Sequence, residues 1–154
     1  MTRSERLRPV LKLKESHERE AGQRVGAQQQ AVDALHAQLA DLHAYRRDYE
    51  QKLAATNTDP RHIGIIRDYQ QFLARLDQAI GQQAERVRLA QRELDRLRGL
   101  WLQSRTNSKV ISETMARHAA RESSQAERHA QRVSDEYAAM AAARRPGPLD
   151  DFDE

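Results

Sequence analysis

This chain is expected to be all-α: a two-helix antiparallel coiled-coil hairpin whose second helix extends beyond the first. Two long runs of apolar residues keep a strict four-three step, and the break Asn57-Thr58-Asp59-Pro60 separates them. Of 154 residues, 32% are charged, 38% hydrophobic and only 5% aromatic, too little apolar mass for a globular core but enough for one seam. A 3.5-residue period keeps one stripe of a helix facing its partner, which is what a left-handed coiled coil requires.

Helix one is expected over about residues 6–56. Its stripe runs Leu7, Leu11, Lys14, Glu18, Ala21, Val25, Gln28, Val32, Leu35, Leu39, Leu42, Arg46, Tyr49, Leu53. Pro9 suits a first helical turn, where its missing N–H leaves no bond unmade. Asp59 reads as an N-cap with Pro60 at the first position of helix two. The second stripe runs Ile66, Tyr69, Leu73, Leu76, Ile80, Gln83, Val87, Ala90, Leu94, Leu97, Trp101, Ser104, Ser108, Ile111, Met115. With no further proline before Pro146, helix two is expected over about residues 60–144, roughly 120 Å at 1.5 Å per residue. The hairpin accordingly occupies residues 1–145, and residues 146–154 form a disordered acidic tail.

A short connection makes the helices antiparallel. The preferred register pairs Leu53 with Tyr69, Leu11 with Ile111 and Leu7 with Met115. It sets Ala21 opposite Trp101 and lets Lys14 and Glu18 meet Ser108 and Ser104. A slide of one heptad would set Leu7 on Ser108. After Met115 the same register reads His118, Glu122, Gln125, His129, which is no core. An overhang is therefore expected from about residue 116. Its weak stripe is Ala119, Ala126, Ala130, Val133, Tyr137 and Met140. It reads either as a frayed alanine-rich tail or as a probe ordered inside a partner, since an isolated helix of this kind is marginal in water.

Several functions are excluded by inventory. Two helices make no water-excluding site in which acid, base and nucleophile converge, so no enzyme is expected. No cofactor or metal is expected either. The glycines are scattered and make no phosphate loop, and His36 and His43 stand roughly 10 Å apart along one face. The absence of cysteine fits a reducing cytoplasm. No apolar run is long enough to span a membrane, and no apolar leader opens the chain. The net charge is +3, from 26 basic and 23 acidic residues. Arg86, Arg88, Arg92, Arg96 and Arg98 invite a nucleic-acid reading, but Glu85, Glu93 and Asp95 interleave with them and no aromatic platform accompanies them. No nucleic acid is expected as a partner.

Near the break, Ile65 and Phe72 stand one heptad apart beside the seam, with Tyr45 on helix one. Phe72 has two readings: packing across the flank onto Tyr45, or serving as an exposed anchor for another protein. The block Tyr69-Gln70-Gln71-Phe72-Leu73, followed by Leu76, Ala79 and Ile80, resembles the start of the second helix in the flagellar export protein FliJ family. Tyr45 and Tyr49 before the break, and the opening Leu7-x-x-Val10-Leu11-x-Leu13-x-Glu15, are also similar to that family. Pro9 and the acidic tail depart from it.

The resemblance implies a non-enzymatic stalk of the flagellar type III protein export apparatus. Such a protein is cytoplasmic and peripheral at the inner face of the membrane, held there through protein partners only. It links a hexameric export ATPase to the membrane export gate protein and meets substrate chaperones. The implied gate surface is Tyr69, Phe72, Leu76 and Ile65 at the hairpin tip. The implied ATPase-ring surface is Val133, Tyr137 and Met140 at the terminal end. An injectisome stalk, a generic structural coiled coil and a basic nucleic-acid-binding coiled coil are the rivals.

Overall fold

The computed structural model describes residues 1–56 and 59–147. Among them the chain forms two α-helices, α1 (Arg3–Thr56) and α2 (Ile63–Ala143), joined by a 3-10 turn at Pro60–His62, with no strand. The fold is thus the all-α helical hairpin. Asn57, Thr58 and the acidic stretch from residue 148, expected to be disordered, lie outside the described residues. The chain divides into two compact units, one of residues 14–106 and the other of residues 1–13 with 107–154.

Within the unit of residues 14–106, the heptad stripes are the seam. Every expected seam position from Lys14 to Leu53 and from Ile66 to Ser104 is buried or half-buried. Leu94 and Val32 are the most deeply buried, at 1% and 2% exposure, and Val87 and Leu76 follow. Contacts across the seam run in opposite senses along the two helices. Gln28 meets Ala90, Leu35 meets Gln83, Arg46 meets Asp77 and Tyr49 meets Tyr69. That order is antiparallel.

Two glutamines occupy seam positions and solve the same problem alike. A buried amide loses its water and must find a partner. Gln28 Nε2 donates to the carbonyl of Ala90 at 3.0 Å. Gln83, 5% exposed, donates from Nε2 to the Leu35 carbonyl at 3.0 Å and to Gln38 Oε1 at 3.1 Å. A carbonyl oxygen has two lone pairs, so a helix-interior carbonyl can accept the amide besides its own helical N–H. A polar residue at a seam position favours one register over its slides.

Trp101 sits against Gly22, one residue beyond the Ala21 anticipated opposite it. A Cβ built on Gly22 would stand 3.3 Å from Trp101 Nε1 and 3.5 Å from Cδ1, so the missing side chain is what admits the indole. Gly81 is different, because a Cβ there meets nothing within 4 Å. Gly81→Ala is therefore expected to stabilise the protein by about 0.5–1 kcal/mol, the helix-interior difference between the two residues. Gly22→Ala should gain less or lose, and should shift the emission of the single tryptophan. Urea denaturation with fluorescence tests this, and equal gains at both positions would show that the indole does not need the gap.

At the break, Asp59 caps as anticipated. Its backbone is extended (φ −116°, ψ 115°) and its Oδ1 accepts from the Arg61 N–H at 3.0 Å. Pro60 takes the first position of the 3-10 turn, and α2 proper begins at Ile63.

In the other unit, α1 starts earlier than expected. Thr2 and Glu5 form a reciprocal capping box: the Thr2 hydroxyl accepts from the Glu5 N–H at 3.3 Å, and the Thr2 N–H reaches Glu5 Oε2 at 2.8 Å. Helix therefore begins at Arg3, which leaves Pro9 inside α1 rather than in its first turn. There the proline removes the N–H that would bond the Glu5 carbonyl. Leu7, Leu11, Ile111 and Met115 are half-buried, and Ser108 is buried. Cover continues past Met115 onto His118 and Glu122. Glu122 caps the start of α1 from the side, accepting from Ser4 N at 3.2 Å and Ser4 Oγ at 2.5 Å. From Gln125 to Gly147 every residue is exposed.

Both carboxylates at this end are held below the usual glutamate range. The backbone N–H of Thr2 is the main cause for Glu5, and the Ser4 hydroxyl for Glu122. A lowered carboxylate pKa adds stability above the unfolded-state value, and that stability is lost as pH falls through the folded one. Protection factors of amides in the first turns of α1 should consequently fall on acidification below the ordinary glutamate range, and Glu122→Gln should flatten that fall. An unchanged profile in Glu122→Gln would remove Glu122 from this role.

Candidate partner-binding surfaces

Among the described residues no group of His, Cys, Asp and Glu can hold a metal ion, and no helix is long and apolar enough to cross a membrane. The features that stand out chemically are exposed apolar side chains, and two groups of them, one in each unit, hold the residues the sequence singled out.

The first lies near the turn and is organised by Tyr49. A seam tyrosine can meet rings on the facing helix, and here Tyr49 meets two. Phe72 packs on it with centroids 4.3 Å apart at 39°, and Tyr69 meets it edge-on at 5.8 Å and 71°. Lys52 Nζ stands 4.9 Å from the same ring centroid and 3.3 Å from Asp48 Oδ2. The hydrogen bond and charge of Asp48 raise the Lys52 pKa, so the ammonium is fixed as a cation there. Phe72 thus packs on Tyr49, not on Tyr45 as one reading expected, because Tyr49 is the ring at the seam while Tyr45 stays 59% exposed.

The four residues expected at this surface divide. Phe72 at 37% and Ile65 at 46% exposure are accessible, Tyr69 is half-buried, and Leu76 is 8% exposed. Leu76, already a seam residue by its heptad position, is the least accessible of the four and offers a partner little surface. Ile63, 67% exposed in the first turn of α2, was missed. It lies outside the heptad stripe, and only the start of α2 exposes it.

The second patch lies on α2 beyond its cover. Val133, Tyr137 and Met140, spaced by four and three, share one face and line a shallow depression with Glu136. Tyr137 is 71% exposed and Met140 56%. All three expected residues are brought together, and Glu136 adds an acidic rim that the apolar spacing could not reveal.

Two arginines of the α2 run pair with acids of their own helix, and a third bonds across to α1. Arg88 pairs with Glu85, and Arg96 pairs with Glu93, with Nε–Oε2 at 2.9 Å. Arg98 Nη2 donates to Gln29 Oε1 at 2.9 Å. These partners present mixed charge rather than a basic stripe.

Comparison with known proteins gives one result. The family model described as flagellar FliJ protein matches residues 3–147, nearly the whole chain. Searches of curated proteins and of solved structures gave no match.

Proposed function

The chain belongs to the FliJ family of flagellar export components, and on that premise we propose that it is the stalk that couples the export ATPase ring to the membrane export gate. The match over residues 3–147 is the observation that carries this reading. It favours the flagellar branch over an injectisome stalk.

In this proposal the protein is cytoplasmic, peripheral at the inner face of the membrane, and acts through contacts rather than catalysis. ATP is hydrolysed by the ring. The exposed stripe Val133, Tyr137 and Met140 meets the ring, and burial there orders a helix that has no intramolecular cover. The patch near the turn, with Phe72 and Ile65 as its apolar anchors, meets the gate protein. Substrate chaperones bind elsewhere on the hairpin. Small exposed patches of this kind suit weak, exchangeable contacts better than a permanent assembly.

Co-purification from the native cytoplasm tests the reading. A hexamer-forming ATPase should accompany the wild-type chain and be lost from the double variant Tyr137→Ala, Met140→Ala, whose thermal stability should be unchanged. Recovery of the ATPase in equal amount with both proteins would overturn the assignment of this stripe to the ring.

A further inference from the structure

One feature of α1 is left without an intramolecular use. Asp41, Ala44, Tyr45 and Asp48 line a notch on its surface. They stand at i, i+3, i+4 and i+7, so they share one face, and the small Ala44 opens space beside the Tyr45 ring. Tyr45 is the most exposed aromatic residue of its unit, at 59%.

The two ends of the notch differ. Asp48 already holds Lys52, whose ammonium also stands over Tyr49. That arrangement shows on this same helix what an acid beside an aromatic ring does with a cation. Asp41 and Tyr45 offer the same two groups at a different spacing, four positions apart rather than adjacent, and no basic residue lies three or four positions from Asp41 on either side: these are Ala37, Gln38, Ala44 and Tyr45. Arg46 is engaged elsewhere, by Glu50 and by Asp77 at 2.6 Å. By heptad position Tyr45 lies on the same flank of the hairpin as Phe72 and Ile65, each directly preceding a seam residue.

We infer that the Asp41–Tyr45 end of this notch receives a lysine or arginine side chain of the partner that covers Phe72. The cation lies on the Tyr45 ring face and is paired by the Asp41 carboxylate. The partner's contact segment is therefore basic as well as apolar. A ring quadrupole and a carboxylate reinforce each other toward a cation, and an apolar cover over Phe72 would lower the local dielectric around the pair. Arginine fits better than lysine, because its planar group stacks on the ring while its N–H groups reach the carboxylate.

This inference rests on the assignment of the turn patch to the gate protein, and the experiment separates the two. Binding of the full chain to the cytoplasmic region of the gate protein is measured by calorimetry at low and at moderate salt. Asp41→Asn and Tyr45→Ala are each expected to weaken binding about threefold to tenfold at low salt. Tyr45→Phe should stay within about twofold, because the ring face is kept. Asp41→Asn should also lessen the salt dependence, which a purely structural role would not do. If Asp41→Asn and Tyr45→Ala bind like wild type while Phe72→Ala is impaired, the notch is not used and the gate assignment stands. If the wild-type chain does not bind the gate region, the assignment fails and this inference with it.

Discussion

Leu94→Ala is expected to destabilise the protein by about 2–3 kcal/mol, the lower part of the range for a buried leucine. The side chain is 1% exposed, at the middle of the seam. Its removal loses the transfer energy of the deleted atoms and leaves a gap. A seam only two helices thick can close partly over that gap, which keeps the value from the upper end. Leu89, five residues earlier and 52% exposed, is the control, and Leu89→Ala should change stability by less than about 0.5 kcal/mol. Urea denaturation monitored by helicity should show a lower midpoint for Leu94→Ala at unchanged slope. Equal midpoints for the two variants would mean that the seam is not where the stability resides.

Phe72→Ala should weaken binding to the gate protein by about tenfold or more, the effect of truncating an aromatic anchor at the centre of an interface. Its ring is only partly committed to the fold. One face packs on Tyr49 at 4.3 Å, while 37% of the residue stays exposed. An aromatic pair of this kind contributes about 0.5–1.5 kcal/mol beyond area burial, so the variant should stay helical with a modestly lower melting temperature. Binding through Val133, Tyr137 and Met140 in the other unit should survive. The opposite pattern, a loss of several kcal/mol in stability with gate binding intact, would make Phe72 a packing residue and move the contact elsewhere.

Much of this molecule was legible in its residues. The heptad spacing located every seam position from Lys14 to Leu53 and from Ile66 to Ser104, because period is a local property: a helix turns by a fixed angle per residue. Asp59-Pro60 identified the cap at the break for the same reason, since an N-cap needs only the backbone two residues on. The resemblance carried by Tyr69 to Ile80 pointed to the family whose model matches residues 3–147.

The capping box Thr2-Arg3-Ser4-Glu5 was equally local and was overlooked, because Pro9 drew the helix start toward itself. Other features arise only when the two helices meet. The stripe said that a small residue faces Trp101, but whether Ala21 or Gly22 takes the indole depends on the stagger within a turn and on the direction of each Cα–Cβ bond. Tyr49 rather than Tyr45 supports Phe72 because the ring at the seam is the one within reach across it. Glu122 belongs to no apolar pattern, yet it holds the Ser4 N–H and hydroxyl and carries the cover of α2 past Met115. Those contacts are set by the distance and angle between two surfaces, which a single strand of residues does not contain.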